Sequence, residues 1–299
     1  MRIEGIETVK EQHTPVFAHC EGIILSVQKW QEMAVPRLKE WKCGHEHGEA
    51  LASLIVASRK SLEGVYHLCE QKLAGEAIPL IRRLFEACVN AAYIRLDPST
   101  RAPLFNLNPR ISQIVRCQCL WELRGSIESE VHYDPSGSDD YTASVTEVIK
   151  QVGQLLDIDS PTFSILKTLA KRWAKKDLSI RAREVETEFP KAGLGRPLLK
   201  TAYDIEFGLY SEFTHGTGSS VMPYVKRTET GVTFDSTRSD RYVADAMIIA
   251  AHWYLWLLHE AAQSIDGTFG HFLYENVVDP HRGVNDSLAK QYKITMELT

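Results

Sequence analysis

The chain has 299 residues, 44% of them hydrophobic and 24% charged, which supplies ample apolar material for a core and excludes disorder as the default. With 34 Lys and Arg against 39 Asp and Glu, the formal net charge is -5, so no global positive field draws it to nucleic acid or anionic lipid. No uninterrupted apolar run reaches the roughly 18 residues of a membrane span; the densest stretch, at 243–262, is broken by Asp245, His252 and His259 and reads as a buried core helix.

The opening MRIEGIETVKEQHTP lacks a basic region followed by an apolar run, so no targeting leader is expected. Thr14 ahead of Pro15 makes an N-cap pair that opens a helix carrying Phe17, Ile24, Leu25, Val27 and Trp30, interrupted near Pro36. From about 48 to 74, Leu51, Leu54, Ile55, Leu62, Val65 and Leu68 recur at helical spacing. Gly75 is the expected residue just past that helix. A second helix then runs from about 76 to 96, ending at Asp97, where Pro98 restricts its predecessor.

Further helices are expected at about 110–130, 141–156, 161–187, 197–215, 240–266 and 284–296, with HYDPSGSDD at 132–140 as the clearest loop. The one β signal is YVKRTETGVTFD, two short β-prone runs around a turn at Glu229 to Gly231. The expected fold is all-α, a multi-helix bundle with at most one small β-hairpin. Residues 1–44 read as an N-terminal helical extension and 45–299 as one compact bundle, with the helix before His215 packed across the hairpin of helices at 48–96.

Six cysteines spread through a long chain argue against a disulfide framework and for free, buried thiols in a reducing, cytoplasmic compartment. Cys43, His45 and His47 form one partial metal motif and Cys117 with Cys119 another, yet neither has a second half at zinc spacing. Paired Glu-x-x-His motifs for a di-iron site are lacking, as are Walker, Rossmann, nucleophile-elbow and kinase signatures, so no metal and no cofactor is expected. The basic run at 166–183 includes Lys171, Arg172, Lys175 and Lys176, with Trp173 interleaved, and is the local patch able to hold a phosphate backbone. A solvated helix face, answered by the acidic loop at 134–140, accounts for the same charges.

The segment GEAIPLIRRLFEACVNAAYIRLDP at 75–98, followed by YSEFTHG at 210–216, resembles the bacterial domain-of-unknown-function family 5677, over about residues 45 to 275. The resemblance implies a helical fold and a polar set of Arg82, Glu86, Tyr93, Tyr210, Ser211 and His215, with no settled activity. YSEFTHG also resembles, more distantly, the HEPN superfamily, whose ribonucleases place Arg, a polar residue and His on a late helix and act across a dimer interface. In that register Tyr210 stands where the Arg belongs and Ser211 where the polar partner belongs, which puts metal-free RNA cleavage in doubt.

At 100° per residue, Arg82, Glu86 and Tyr93 share one stripe within about 40°, opposite Leu80, Ile81, Leu84, Phe85, Cys88 and Ala92. Facing solvent, Arg82 and Glu86 are an ordinary i, i+4 pair worth about 0.3–0.5 kcal/mol. Facing another helix they must be hydrogen-bonded, and a pocket with Tyr210, Ser211 and His215 follows, with His215 as general acid or base and Arg82 as anion clamp. A cap at its helix end is the competing role for His215. Two functions are therefore expected in competition. The first is an interaction or regulatory protein of bacterial defence or stress systems; the second is a divergent HEPN-like, metal-independent ribonuclease. The candidate partners are a second copy of the chain, RNA or another protein.

Overall fold

A computed structural model describes residues 6–126, 139–159, 161–195, 197–207, 225–228, 231–234, 242–265 and 267–294. The fold is mainly α: α1 (Ile6–Gln12), α2 (Thr14–Ala34), a 3-10 turn (Val35–Glu40), α3 (His45–Glu70), α4 (Ala74–Leu96), α5 (Pro98–Ser126) and α6 (Asp139–Leu156) come first. Then come α7 (Phe163–Lys171), α8 (Leu178–Lys191), α9 (Leu199–Ala202), a π turn (Tyr203–Phe207) and strands β1 (Val225–Thr228) and β2 (Gly231–Phe234). The chain closes with α10 (Val243–Ile265), α11 (Gly267–Leu273), a second π turn (Tyr274–Val278) and α12 (Asp279–Gln291). The expected hairpin is present: β1 and β2 pair antiparallel, Val225 opposite Phe234 and Thr228 opposite Gly231.

The chain divides into two compact units, Met1–Leu96 with Arg181–Thr299, and Asp97–Ile180. In the first unit, α3 and α4 form the expected helical hairpin, and the element laid across both is α10. The sequence reading gives that place to the helix before His215, whose described part, α9 and its π turn, ends at Phe207. The core is built from apolar faces turned inward: Trp253 of α10 meets Phe85 of α4 edge-on at 4.8 Å, and the buried Tyr254 hydroxyl donates to the Ile55 carbonyl of α3. The apolar run at 243–262 is thus the buried helix expected, and among the described residues no helix is long and apolar enough to cross a membrane. Nor does α2 stand apart as an extension; it buries Phe17, Ile23, Val27 and Trp30 and packs on α3, α10 and α12.

The turn between α3 and α4 differs from the expectation at Gly75, which lies inside α4. The residue past α3 is Lys72, at φ +60°, and Leu73 N donates back to Leu68 O at 2.8 Å while Lys72 N donates to Cys69 O at 2.9 Å. That is a Schellman closure built on a non-glycine residue. Thr14 also departs from its expected role, since its hydroxyl donates back to the Lys10 carbonyl of α1 instead of capping α2.

In the second unit α5, α6 and α7 pack around Leu107, Ile111, Val148, Val152, Leu166 and Leu169. Asp97 caps α5, its Oδ1 accepting from Thr100 N at 3.4 Å and from Ser99 Oγ at 2.9 Å, and the helix continues through Pro103 and Pro109, which explains why the sequence reading begins it only near 110. The single helix expected at 161–187 is two, because the backbone turns out of helix at Arg172 and reaches φ +57° at Lys175. Trp173, in that break, is buried against Phe105.

Candidate functional site

Arg82 and Glu86 project from the middle of α4, where the opposite face carries Ile81, Leu84, Phe85 and Cys88 into the core. Arg82 Nε donates to Glu86 Oε1 at 3.2 Å, with side chains 23% and 39% exposed. The pair is therefore half-buried, between the two expected extremes. One rung further along the same i, i+4 row stands Asn90, whose Oδ1 accepts from the guanidinium of Arg181 at the start of α8. Arg181 is buried, although the sequence reading counts it in a solvated basic run. Arg82, Asn90, Arg181 and the buried Tyr93 each have further partners as well.

Four polar groups thus form a row: two guanidiniums, a carboxylate and an amide, with Arg82 and Asn90 about 12 Å apart along the helix. A guanidinium presents planar N–H pairs that match carboxylate and phosphate oxygens, and a neighbouring carboxylate fixes its orientation. This row suits recognition of an anionic group. Asn90 was within reach of sequence reasoning, by extending the Arg82–Glu86 spacing one more turn. Its bond to Arg181 spans 91 positions and had no such signal.

Tyr203 and Glu206 lie on the π turn, where the 100° periodicity of an α-helix no longer applies. Tyr210, Ser211 and His215 lie outside the described residues. Lys171 ends α7, and Arg172, Lys175 and Lys176 follow in the break before α8, with Arg172 paired to Asp177 at 2.8 Å. These four cations belong to a turn and not to one continuous helix face.

A second polar constellation escaped sequence reasoning entirely. Arg95, at the end of α4, donates to Glu260 of α10 at 2.9 Å, and both are largely buried. Burial pushes the Glu260 carboxyl up, against the pull of Arg95. His47 at the start of α3 is buried close by, its Nε2 without a hydrogen-bond partner among the described residues; burial and the Arg95 charge lower it to about 4. This node is closed off and reads as internal structure. Among the described residues no group of three or more His, Cys, Asp or Glu is placed to hold a metal, and all six cysteines are free. A cleft of about 260 Å³ lined by Met33, Arg37, Lys42, Phe269 and Phe272 lies away from the row, and its Arg37 is already paired with Glu40.

Residues 48–232 match the model of DUF5677, a family of unknown function. The chain belongs to this family. No curated protein and no solved structure matches it. The DUF5677 region contains the whole polar row, together with Tyr210, Ser211 and His215, whereas α2, α10, α11 and α12 fall outside it.

Proposed function

We propose that this DUF5677 chain is a helical interaction or regulatory protein that recognises an anionic group on the polar row of α4, with Tyr210, Ser211 and His215 completing the pocket. A bacterial defence or stress system in the cytoplasm is the setting the family resemblance suggests. One observation carries the reading: two bonded pairs, Arg82 with Glu86 and Asn90 with Arg181, stand one after the other along a half-buried face of α4 inside the family region. Solvated surface charges gain little from such order, while a ligand-recognising row needs it.

The competing reading is the divergent HEPN-like ribonuclease, a homodimer with His215 as its acid or base and Lys171, Arg172, Lys175 and Lys176 guiding RNA. Expression in bacteria separates the two. A regulator leaves growth and bulk RNA unchanged for both wild type and His215→Ala. RNA loss with the wild type alone overturns the regulatory reading in favour of the nuclease.

A further inference from the structure

Outside the family region, the last helix is seated in an unusual way. Of its side chains α12 buries Asn285, Leu288 and Ala289, so little apolar area holds it. The rest of the seat is imidazole. His281 fits against α2 where Gly22 has no side chain, its Cε1 only 3.1 Å from where a Cβ would stand. Its Nε2 lies 3.3 Å from Ser26 Oγ, and its ring stands 5.5 Å from the ring of His19. The buried His19 in turn donates from Nε2 to Asn285 Oδ1 at 3.2 Å, and His13 meets Tyr292 just beyond the helix end at 3.4 Å.

We propose that α12 is an acid-released latch, held on α2 by the neutral rings of His19 and His281, which undocks as a unit when those rings take up protons. Two imidazoliums at this separation repel, and a protonated pair loses the acceptor nitrogen that a neutral ring offers. The surroundings add more positive charge than negative. Arg282 of α12 acts on both His252 and His259 of α10 and depresses each further. Of the acids, Asp245 of α10 faces His13, Glu275 of the π turn is taken by His271, and Glu21, Asp279 and Asp286 are exposed. Burial, then the neighbouring His281, lowers His19 to about 4, and burial lowers His281. With α12 undocked, the His19 ring of α2 and the His281 ring of α12 both return to an ordinary value near 6.5, so undocking takes up protons as pH falls below about 6.5.

Hydrogen exchange at pH 7.5 and pH 5.0, corrected for intrinsic rates, tests this on the full chain. The expected result is a loss of protection in 281–291 at pH 5.0 that exceeds any loss in α3 and α4 by on the order of tenfold. The His19→Gln/His281→Gln form, whose amides keep hydrogen bonds without titrating, should show no such loss. Tryptic cleavage after Lys290 of the wild type, faster at pH 5.0 than at 7.5 relative to an unstructured control peptide, gives the same reading without a variant. Unchanged protection at pH 5.0, loss spread equally over α3 and α4, or a Gln form that responds like the wild type would each overturn it.

Discussion

Arg95 and Glu260, 165 positions apart, close a buried ion pair at 2.9 Å that ties the end of α4 to α10. Removing one member leaves the other's charge buried and uncompensated. Glu260→Ala is expected to lower the unfolding free energy by about 3–5 kcal/mol in urea titrations. The double replacement Arg95→Met/Glu260→Leu should recover most of that, because no orphaned charge remains. A Glu260→Ala midpoint equal to that of the wild type would show the pair to be idle.

His47 sits beside that pair and is held neutral, at about 4 against an ordinary 6.5. A depressed histidine contributes fully above its unfolded value, and the contribution drains away as pH falls from about 6.5 to 4, up to about 3 kcal/mol in all. His47→Gln should therefore flatten the stability curve over that window and leave it unchanged above pH 7. Guanidinium melts at half-unit pH steps would measure this.

The α3–α4 turn carries strain at Lys72, whose φ of +60° suits glycine. Lys72→Gly is expected to raise stability by about 0.5–1 kcal/mol, visible as a small rise in Tm. A fall would mean that the lysine side chain matters more than its backbone.

Two glycines near the C-terminal end should respond in opposite directions to alanine. A Cβ at Gly270 would lie 2.5 Å from the Ala262 carbonyl oxygen, where backbone must give way, so Gly270→Ala should cost about 1–3 kcal/mol. Gly283 in α12 has nothing within 4 Å of a Cβ, and Gly283→Ala should add about 0.5–1 kcal/mol from helix propensity. Paired thermal melts decide both.

Legibility followed the range of the interactions. The α3–α4 hairpin, α6, α10 and the β-hairpin were readable because period, length and turn chemistry are local. Proline misled in α5, where Pro103 and Pro109 are tolerated, and α11 with its π turn went unseen because GTFGHFLYENVV carries no clean 3.6 period. Within the site, Arg82 and Glu86 were legible as an i, i+4 pair. Arg181 was not: a cation in a basic run gives no sign that it turns inward to Asn90. The Arg95–Glu260 pair was invisible for the same reason, since it exists only once α10 lies against α4.

The polar row is tested most directly by the Tm shift that an anionic probe produces in the wild type and in Arg82→Met. The probes are inorganic phosphate, AMP and a ten-nucleotide single-stranded RNA. A bound ligand raises Tm by mass action, and losing a charge-assisted bond worth about 1.5–3 kcal/mol weakens binding by about ten- to a hundredfold. At least one probe should raise the wild-type Tm by several degrees and leave Arg82→Met nearly unmoved, with the RNA recovered intact. No shift with any probe, or equal shifts in the two proteins, would contradict recognition by this row.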